Sequence, residues 1–257
     1  MDTSGQEKFM GRIRSALGKA SQEPRDSKGL FPTEPSAEQI EILASIKNRT
    51  ASERQQLLER LVEMAQPIKL VVIPVKDEQA AVKAIGELVR DKDPEWGPEK
   101  RVVTWRHPLL ESLQLPQALA AQDVPVFISE LTSGDDRADR QQIRDHIIDA
   151  YIGITSADFC MADTATLVMR NRPGQPRSVA IVPSIHVAVI RLAQIILDMK
   201  ELHALLKWDP AYSAEGLTNY MSFNSGPSKT ADIELTLVRG VHGPGDVYVI
   251  LLDFIVL

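Results

Sequence analysis

The chain alternates short apolar runs with amphipathic helical segments, and this alternation constrains the fold more than any other feature. Strand-like runs occupy residues 70–75, 101–105, 125–128 and 151–154. Helical spacing of apolar residues separates them, and Asp77 is placed to begin the first of these helices. Strands that alternate with helices are typical of βαβ units. The sequence therefore predicts an α/β fold, a Rossmann-like and mostly parallel sheet flanked by helices.

The second half of the chain predicts three further elements. The Pro-Gly pair at 173–174 is expected to join an antiparallel pair of strands, 166–170 and 178–182. Ser184 is expected to cap a helix over the apolar residues that follow it. Residues 247–257 are apolar almost throughout, which predicts a strand buried on both faces.

Composition excludes several classes of protein. The 257 residues are 44% hydrophobic and carry a net charge of −6, which argues against a nucleic-acid-binding surface. A single cysteine, Cys160, cannot form an internal disulfide or hold an iron–sulfur cluster, and familiar metal motifs are missing, so no cofactor or metal is expected. No apolar run approaches the length of a membrane span, and the polar start lacks a signal core. We expect a cytoplasmic protein without a membrane span.

The N-terminal segment is predicted to be separate from the rest of the chain. A short helix ends near Gly18, and residues 19–36 are rich in Ser, Pro and charged side chains, as in a linker. We therefore divide the chain into an arm, 1–35, and one domain, 36–257. The arm offers a surface through which a homo-oligomer could form.

Chemically capable side chains are densest in a region where glycine and proline predict two tight turns. The region contains Ser225, Gly226, Ser228, Lys229, Thr230, Asp232, His242 and Gly243. Such loops can direct several N–H groups and side chains at one anionic or carbonyl-bearing ligand. The same residues also fit two ordinary surface turns that flank a strand over 233–238.

A second polar cluster follows the predicted strand 151–154. Its candidate ligand-binding residues are Thr155, Asp163, Thr164 and Thr166. Open α/β sheets place ligands beyond the carboxyl ends of their strands, so we expect both clusters to meet in one cleft at that edge. Helix capping is the alternative role for Thr155, Ser156 and Asp158.

The five histidines divide into two groups. His186 is predicted in the first turn of a helix, where the helix dipole keeps it neutral, and it serves either a ligand or the structure. His242 lies in a glycine-flanked loop and is the stronger ligand candidate. The other three, His107, His146 and His203, are interpreted as surface or packing residues.

With both clusters identified, the chain resembles the lactate-utilisation protein C family, whose members consist of a LUD domain. The similarity rests on residues 154–166, 182–186, 225–234 and 240–244, with Ser-Gly-Pro-Ser at 225–228 the most specific stretch. The family usually has Thr-Gly-Thr where this chain has Ala165 between two threonines, which puts a glycine-dependent turn in doubt.

The resemblance implies a fold like that of the ribose-5-phosphate isomerase and CoA-transferase superfamily. It also implies an accessory role beside iron–sulfur partner proteins that oxidise L-lactate to pyruvate, with a small anionic ligand bound at the two clusters. Whether the chain is itself an enzyme stays open. The alternative is a stand-alone sugar-phosphate isomerase or acyl/CoA-transfer enzyme, with Asp163, Asp232 or Glu234 as base or nucleophile and Lys229 as anion anchor.

Overall fold

The structure is a computed structural model that describes residues 3–16, 32–131, 136–215, 220–231, 237–240 and 242–253. The chain divides into two units, Met1–Ser36 and Ala37–Leu257. The first unit contains helix α1, Thr3–Ala16, at the position predicted for the opening helix. All other described elements belong to the second unit.

The strands in chain order are β1 (Leu70–Pro74), β2 (Val102–Trp105), β3 (Val126–Ser129), β4 (Ile152–Thr155), β5 (Phe159–Met161), β6 (Thr166–Arg170), β7 (Ile185–Arg191), β8 (Ile195–Ile196), β9 (Met221–Asn224), β10 (Lys229–Ala231), β11 (Leu237–Arg239) and β12 (Asp246–Leu252). Six of them form one sheet in the order β1-β12-β7-β4-β2-β3, and every neighbouring pair is parallel. The predicted fold class, a mostly parallel sheet in an α/β protein, is confirmed.

The remaining helices are α2 (Ala37–Lys47), α3 (Ala51–Ile68), α4 (Glu78–Asp91), α5 (Pro108–Ser112), α6 (Leu115–Leu119), α7 (Asp136–Asp149), α8 (Met199–Trp208) and α9 (Pro210–Ser213). Local sequence explains where several begin. Asp77 caps α4 as predicted, by accepting a hydrogen bond from the Ala80 backbone N–H. Thr50 and Glu53 form a capping box at the start of α3. Asp198 caps α8, a helix that was not predicted from the sequence.

A second sheet and a hairpin complete the domain. The four-stranded sheet has the order β8-β5-β6-β9, in which β6 is antiparallel to both of its neighbours. The hairpin pairs β10 with β11. This arrangement corrects the prediction for residues 178–182, which do not form a strand beside β6. Arg177–Ala180 forms a short 3-10 turn, and β6 pairs with β5 and β9 instead.

The prediction of a helix after Ser184 is also wrong, because this segment forms strand β7. It lies between β4 and β12, and six of its seven residues are buried. Burial on both faces removes the period-two alternation that marks a strand, so its apolar run matched a helix equally well. The predicted terminal strand is confirmed over Asp246–Leu252, which lies between β1 and β7. Residues 254–257 lie outside the described residues.

The order of the strands creates a point where the chain reverses its direction along the sheet. From β2 the chain continues to β3 on one side, whereas from β4 it continues to β7 on the other. Connections that leave in opposite directions open a crevice beyond the carboxyl ends of the two strands. In this fold the crevice lies between the residues that follow Trp105 and those that follow Thr155.

Candidate functional site

Two of the predicted residues, Thr155 and His186, form a buried pair. The Thr155 Oγ1 lies 2.8 Å from the His186 Nε2, and both side chains are buried. Burial lowers the pKa of His186 to about 4, so the ring is neutral at pH 7. Neutrality was predicted from a helix dipole, but His186 lies on strand β7 and burial is the cause. Within the described part of the chain, the His186 Nδ1 and the Ser156 Oγ are buried without a hydrogen-bond partner.

Three hydroxyl groups link the two predicted clusters. The Thr166 Oγ1 lies 2.6 Å from the Ser225 Oγ and 2.8 Å from the Thr164 Oγ1. Between the threonines, Ala165 has a left-handed backbone with φ 46° and is fully buried. The turn therefore forms with alanine in place of the family's glycine, in a conformation that disfavours a side chain.

Asp163 makes an ion pair. Its Oδ1 accepts a hydrogen bond of 3.0 Å from the Arg60 Nε on α3, and its side chain is 39% exposed. The Asp163 backbone N–H donates to the Leu197 carbonyl oxygen at 3.0 Å. One oxygen of this carboxylate is therefore already occupied by Arg60.

The predicted loop residues Ser228, His242 and Gly243 lie against one another. The Ser228 backbone N–H donates to the Pro244 carbonyl oxygen at 2.8 Å, and the His242 N–H donates to the Ser228 Oγ at 3.4 Å. A Cβ added to Gly243 would lie 3.3 Å from the Ser228 Cβ, so Ser228 would have to shift by a few tenths of an ångström. The His242 side chain is exposed.

This turn lies at the amino ends of the strands, which corrects the expected meeting of both clusters at the carboxyl edge. The Gly245 N–H donates to the Ser184 carbonyl oxygen at 2.8 Å, just before β7 and β12 begin. Gly226 lies at the same edge of the sheet, because a Cβ added there would lie 3.2 Å from the carbonyl oxygen of Ile68, just before β1 begins. Thr155, in contrast, ends β4 at the carboxyl edge.

The other predicted residues of this region are partly outside the described structure. Lys229 is exposed at the start of β10, and Thr230 follows it in the same strand. Asp232 and Glu234 lie outside the described residues.

The crevice at the reversal of the sheet contains a pocket of about 430 Å³. Its walls come from the segments after β2, β4, β6 and β7 and from α9, and they consist of Trp105, His107, Pro108, Ala157, Asp158, Arg170, Arg172, Gln175, Gln194, Ala211, Tyr212 and Glu215. A larger groove of about 1090 Å³ lies beside α7. The residues predicted as ligand contacts line neither of these two depressions in the described structure.

An ion network forms one wall of the pocket. Asp158 accepts hydrogen bonds from the Arg170 Nε at 3.0 Å and the Arg172 Nη2 at 2.6 Å. Burial alone would raise the pKa of Asp158, but the hydrogen bonds from Arg172 and from the Arg170 backbone outweigh it and lower the pKa. Glu215 binds the same two guanidinium groups, and hydrogen bonding from Arg172 lowers its pKa too. Both carboxylates are therefore ionised at pH 7.

His107 faces this network as a neutral hydrogen-bond donor. Its Nδ1 accepts the Leu109 backbone N–H at 3.2 Å at the start of α5, which leaves the proton of a neutral ring on Nε2. Burial lowers the pKa of His107 below its ordinary value. The pocket thus offers a neutral N–H and two guanidinium groups.

The sequence interpretation missed His107 as a pocket residue and favoured helix capping over ligand binding for Asp158. The signal that could have found them is positional. His107 follows β2 and Asp158 follows β4, the two strands on either side of the reversal. The partners Arg170, Arg172 and Glu215 are far from the two strand ends in sequence, and no local pattern places them there.

Comparison with known proteins gives a family and several relatives. The LUD domain model matches residues 58–252. The chain is 33% identical to lactate utilization protein C of Halalkalibacterium halodurans over 56% of this chain and 59% of that one. It is 38% identical to the protein of the same name from an Exiguobacterium species, over 42% and 47%. These matches span about half of the relatives' length, whereas the match to lactate utilization protein C of Shouchella clausii covers 92% of both chains at 26% identity.

One solved structure has a similar fold. A crystal structure of a DUF162 family protein from Deinococcus radiodurans superimposes with a TM-score of 0.50. The match covers 77% of this chain and 98% of that chain, at 18% sequence identity. Among the described helices, none combines the length and the hydropathy that a bilayer crossing requires.

Proposed function

We propose that this chain, which belongs to the LUD domain family, is an accessory subunit of an L-lactate-utilisation system and binds a small anionic ligand. Its partners would be iron–sulfur proteins that carry the electrons when L-lactate is oxidised to pyruvate. The observation that carries the proposal is the similarity to lactate utilization protein C of Shouchella clausii, because it extends over 92% of both chains.

The chemistry of this chain supports a role that does not transfer electrons. One cysteine supplies too few thiolates for an iron–sulfur cluster. Cys160 is also buried, and burial raises the pKa of its thiol to about 12, so it stays protonated at pH 7. In the described ranges, no three His, Cys, Asp or Glu side chains are grouped to hold a metal ion.

The thirteen loop and strand residues predicted from the sequence remain a prediction. Lys229 gives the sharpest test of them, because it is the fixed cation of the set and it is exposed. If the loops bind the anion, Lys229→Ala weakens the binding of a small carboxylate to the purified chain. Lys83→Ala, an exposed lysine on α4, is the matched control and leaves affinity unchanged.

Growth tests the proposed role directly. We expect a strain without this gene to lose growth on L-lactate and to keep growth on pyruvate, because only the oxidation step is missing. A plasmid copy of the gene should restore growth on L-lactate. Normal growth of the deletion strain on L-lactate as sole carbon source would refute the proposed role.

A further inference from the structure

Two arginines in the pocket hold a carboxylate in a geometry suited to a ligand. Arg172 binds Glu215 with two parallel hydrogen bonds, Nε to Oε1 at 2.6 Å and Nη2 to Oε2 at 2.9 Å. The Arg170 Nη1 lies 3.0 Å from the Glu215 Oε2. Bidentate contact with a guanidinium group is among the strongest ways in which a protein holds a carboxylate.

The two carboxylates on these arginines differ in how firmly they are held. The Asp158 side chain is 8% exposed and also accepts the Arg170 backbone N–H at 2.7 Å. The Glu215 side chain is 37% exposed and has the arginines as its hydrogen-bond partners. Asp158 therefore fixes the orientation of the guanidinium groups, and it still pairs with both arginines when the more exposed Glu215 leaves.

We propose that Glu215 is an internal substitute for a ligand, and that a small carboxylate with an oxygen on its second carbon displaces it from Arg170 and Arg172. We refer to these two arginines as the carboxylate clamp. The inference rests on the proposed function only for the choice of L-lactate and pyruvate as probes.

Charge and size agree with this ligand class. When Glu215 leaves, the two arginines and Asp158 carry one net positive charge, which matches a monocarboxylate. A pocket of about 430 Å³ is large enough for a three-carbon acid.

His107 gives the second point of recognition. It lines the same pocket and presents an Nε2–H, because its Nδ1 is occupied by the Leu109 N–H. A keto or hydroxyl oxygen beside the carboxylate accepts this hydrogen bond. Trp105 and Tyr212 add apolar wall around it.

Calorimetric titration of the purified full chain tests the inference. The probes are pyruvate, L-lactate, acetate and lactamide, the last a neutral analogue of lactate. We expect Glu215→Gln to bind pyruvate and L-lactate about tenfold more tightly than the wild type, because the competing carboxylate is gone. Glu215→Ala should show the same gain, so the test does not depend on the folding of one variant. The gain in affinity should be smaller for acetate and absent for lactamide.

Matched variants separate the clamp from a general effect of charge. Glu130→Gln removes a carboxylate of similar exposure, 35%, that pairs with Arg106 at 2.9 Å and does not line the pocket, and it should leave affinity unchanged. Adding Arg172→Gln to Glu215→Gln should abolish the gain. The inference is wrong if both Glu215 variants bind like the wild type, if Glu130→Gln gives the same gain, or if lactamide binds as well as lactate.

The result is independent of the growth experiment. Tighter binding by Glu215→Gln together with normal growth of the deletion strain would support the carboxylate clamp and refute the role in lactate utilisation. Loss of growth on L-lactate with unchanged binding by the Glu215 variants would support the role in lactate utilisation and refute the carboxylate clamp.

Discussion

The hydroxyl of Thr166 lies 2.6 Å from the hydroxyl of Ser225, and this contact joins two segments that are 59 residues apart in sequence. Thr166 begins β6 and Ser225 follows β9, the adjacent strand of the smaller sheet. The polar clusters on either side of this contact are therefore held together by the pairing of two strands and by one hydrogen bond between side chains.

A double-mutant cycle measures the strength of this contact. We expect Ser225→Ala to lower the free energy of unfolding by about 1 kcal/mol, because it removes the hydrogen bond to Thr166. Thr166→Val should cost more, because the Thr166 hydroxyl also bonds to Thr164. The double variant should lose less than the sum, since both changes remove the same interaction. Urea denaturation gives the three values, and strict additivity would show that the hydroxyl groups do not interact.

Gly153 is required by a close backbone approach. A Cβ added there would lie 1.8 Å from the Val179 carbonyl oxygen, so the strand or the neighbouring turn must move. We expect Gly153→Ala to lower the free energy of unfolding by about 3 kcal/mol.

Gly86→Ala on helix α4 is the matched control for this substitution. Its added Cβ would lie 3.2 Å from the side chain of Gln122, which can move away, and in ordinary contact with Leu119 at 3.9 Å. The control should be neutral or stabilising by up to about 1 kcal/mol. Equal thermal shifts for the two variants would contradict the packing described for β4.

The buried His186 makes stability depend on pH. Its pKa is about 4 in the folded chain and near 6.5 when unfolded, so the unfolded state binds more protons between these values. Stability should therefore fall as pH falls from about 6.5 to about 4, by up to about 3 kcal/mol from this residue.

His186→Gln removes the titrating group and should flatten the decline over this window. The comparison isolates His186 because His107, whose pKa is also lowered, is present in both proteins. Parallel stability curves for the wild type and His186→Gln between pH 6.5 and pH 4 would show that the ring is not buried in neutral form.

Asp158 and Glu63 illustrate the difference between buried and exposed ion pairs. Asp158→Asn removes the buried carboxylate from Arg170 and Arg172 and leaves these arginines only the more exposed Glu215, and we expect a loss of about 3 kcal/mol in chemical denaturation. Glu63→Gln removes an exposed partner of Arg60 and should cost less than about 1 kcal/mol. Similar small losses for both variants would mean that Asp158 does not fix the arginines.

Patterns along the chain were sufficient to predict the layers of the fold. The strands at residues 70–75 and 151–154 and the Asp77 cap were found because each has a local cause, apolar burial or side-chain capping. Strand β7 was not found because a strand buried on both faces has no alternation. Ser184, which resembled a cap, instead uses its backbone carbonyl to hold the turn before β12.

The pocket was harder to predict than the sheet, because its chemistry comes from distant segments. Glu215 and Arg172 are 43 residues apart, and nothing local to either indicates that they pair. The hydroxyl-rich loops were predicted to bind a ligand because their residues are close in sequence. In three dimensions Thr166 contacts Ser225, but the His242 turn lies at the opposite edge of the sheet from Thr155.

A crystal structure of the Glu215→Gln chain with pyruvate is the most direct test of where a small carboxylate binds. We expect the pyruvate carboxylate on the Arg172 guanidinium group and the keto oxygen within hydrogen-bond distance of the His107 Nε2. Pyruvate bound instead among Ser225, Ser228 and Lys229, with the arginine pocket unchanged, would contradict this account.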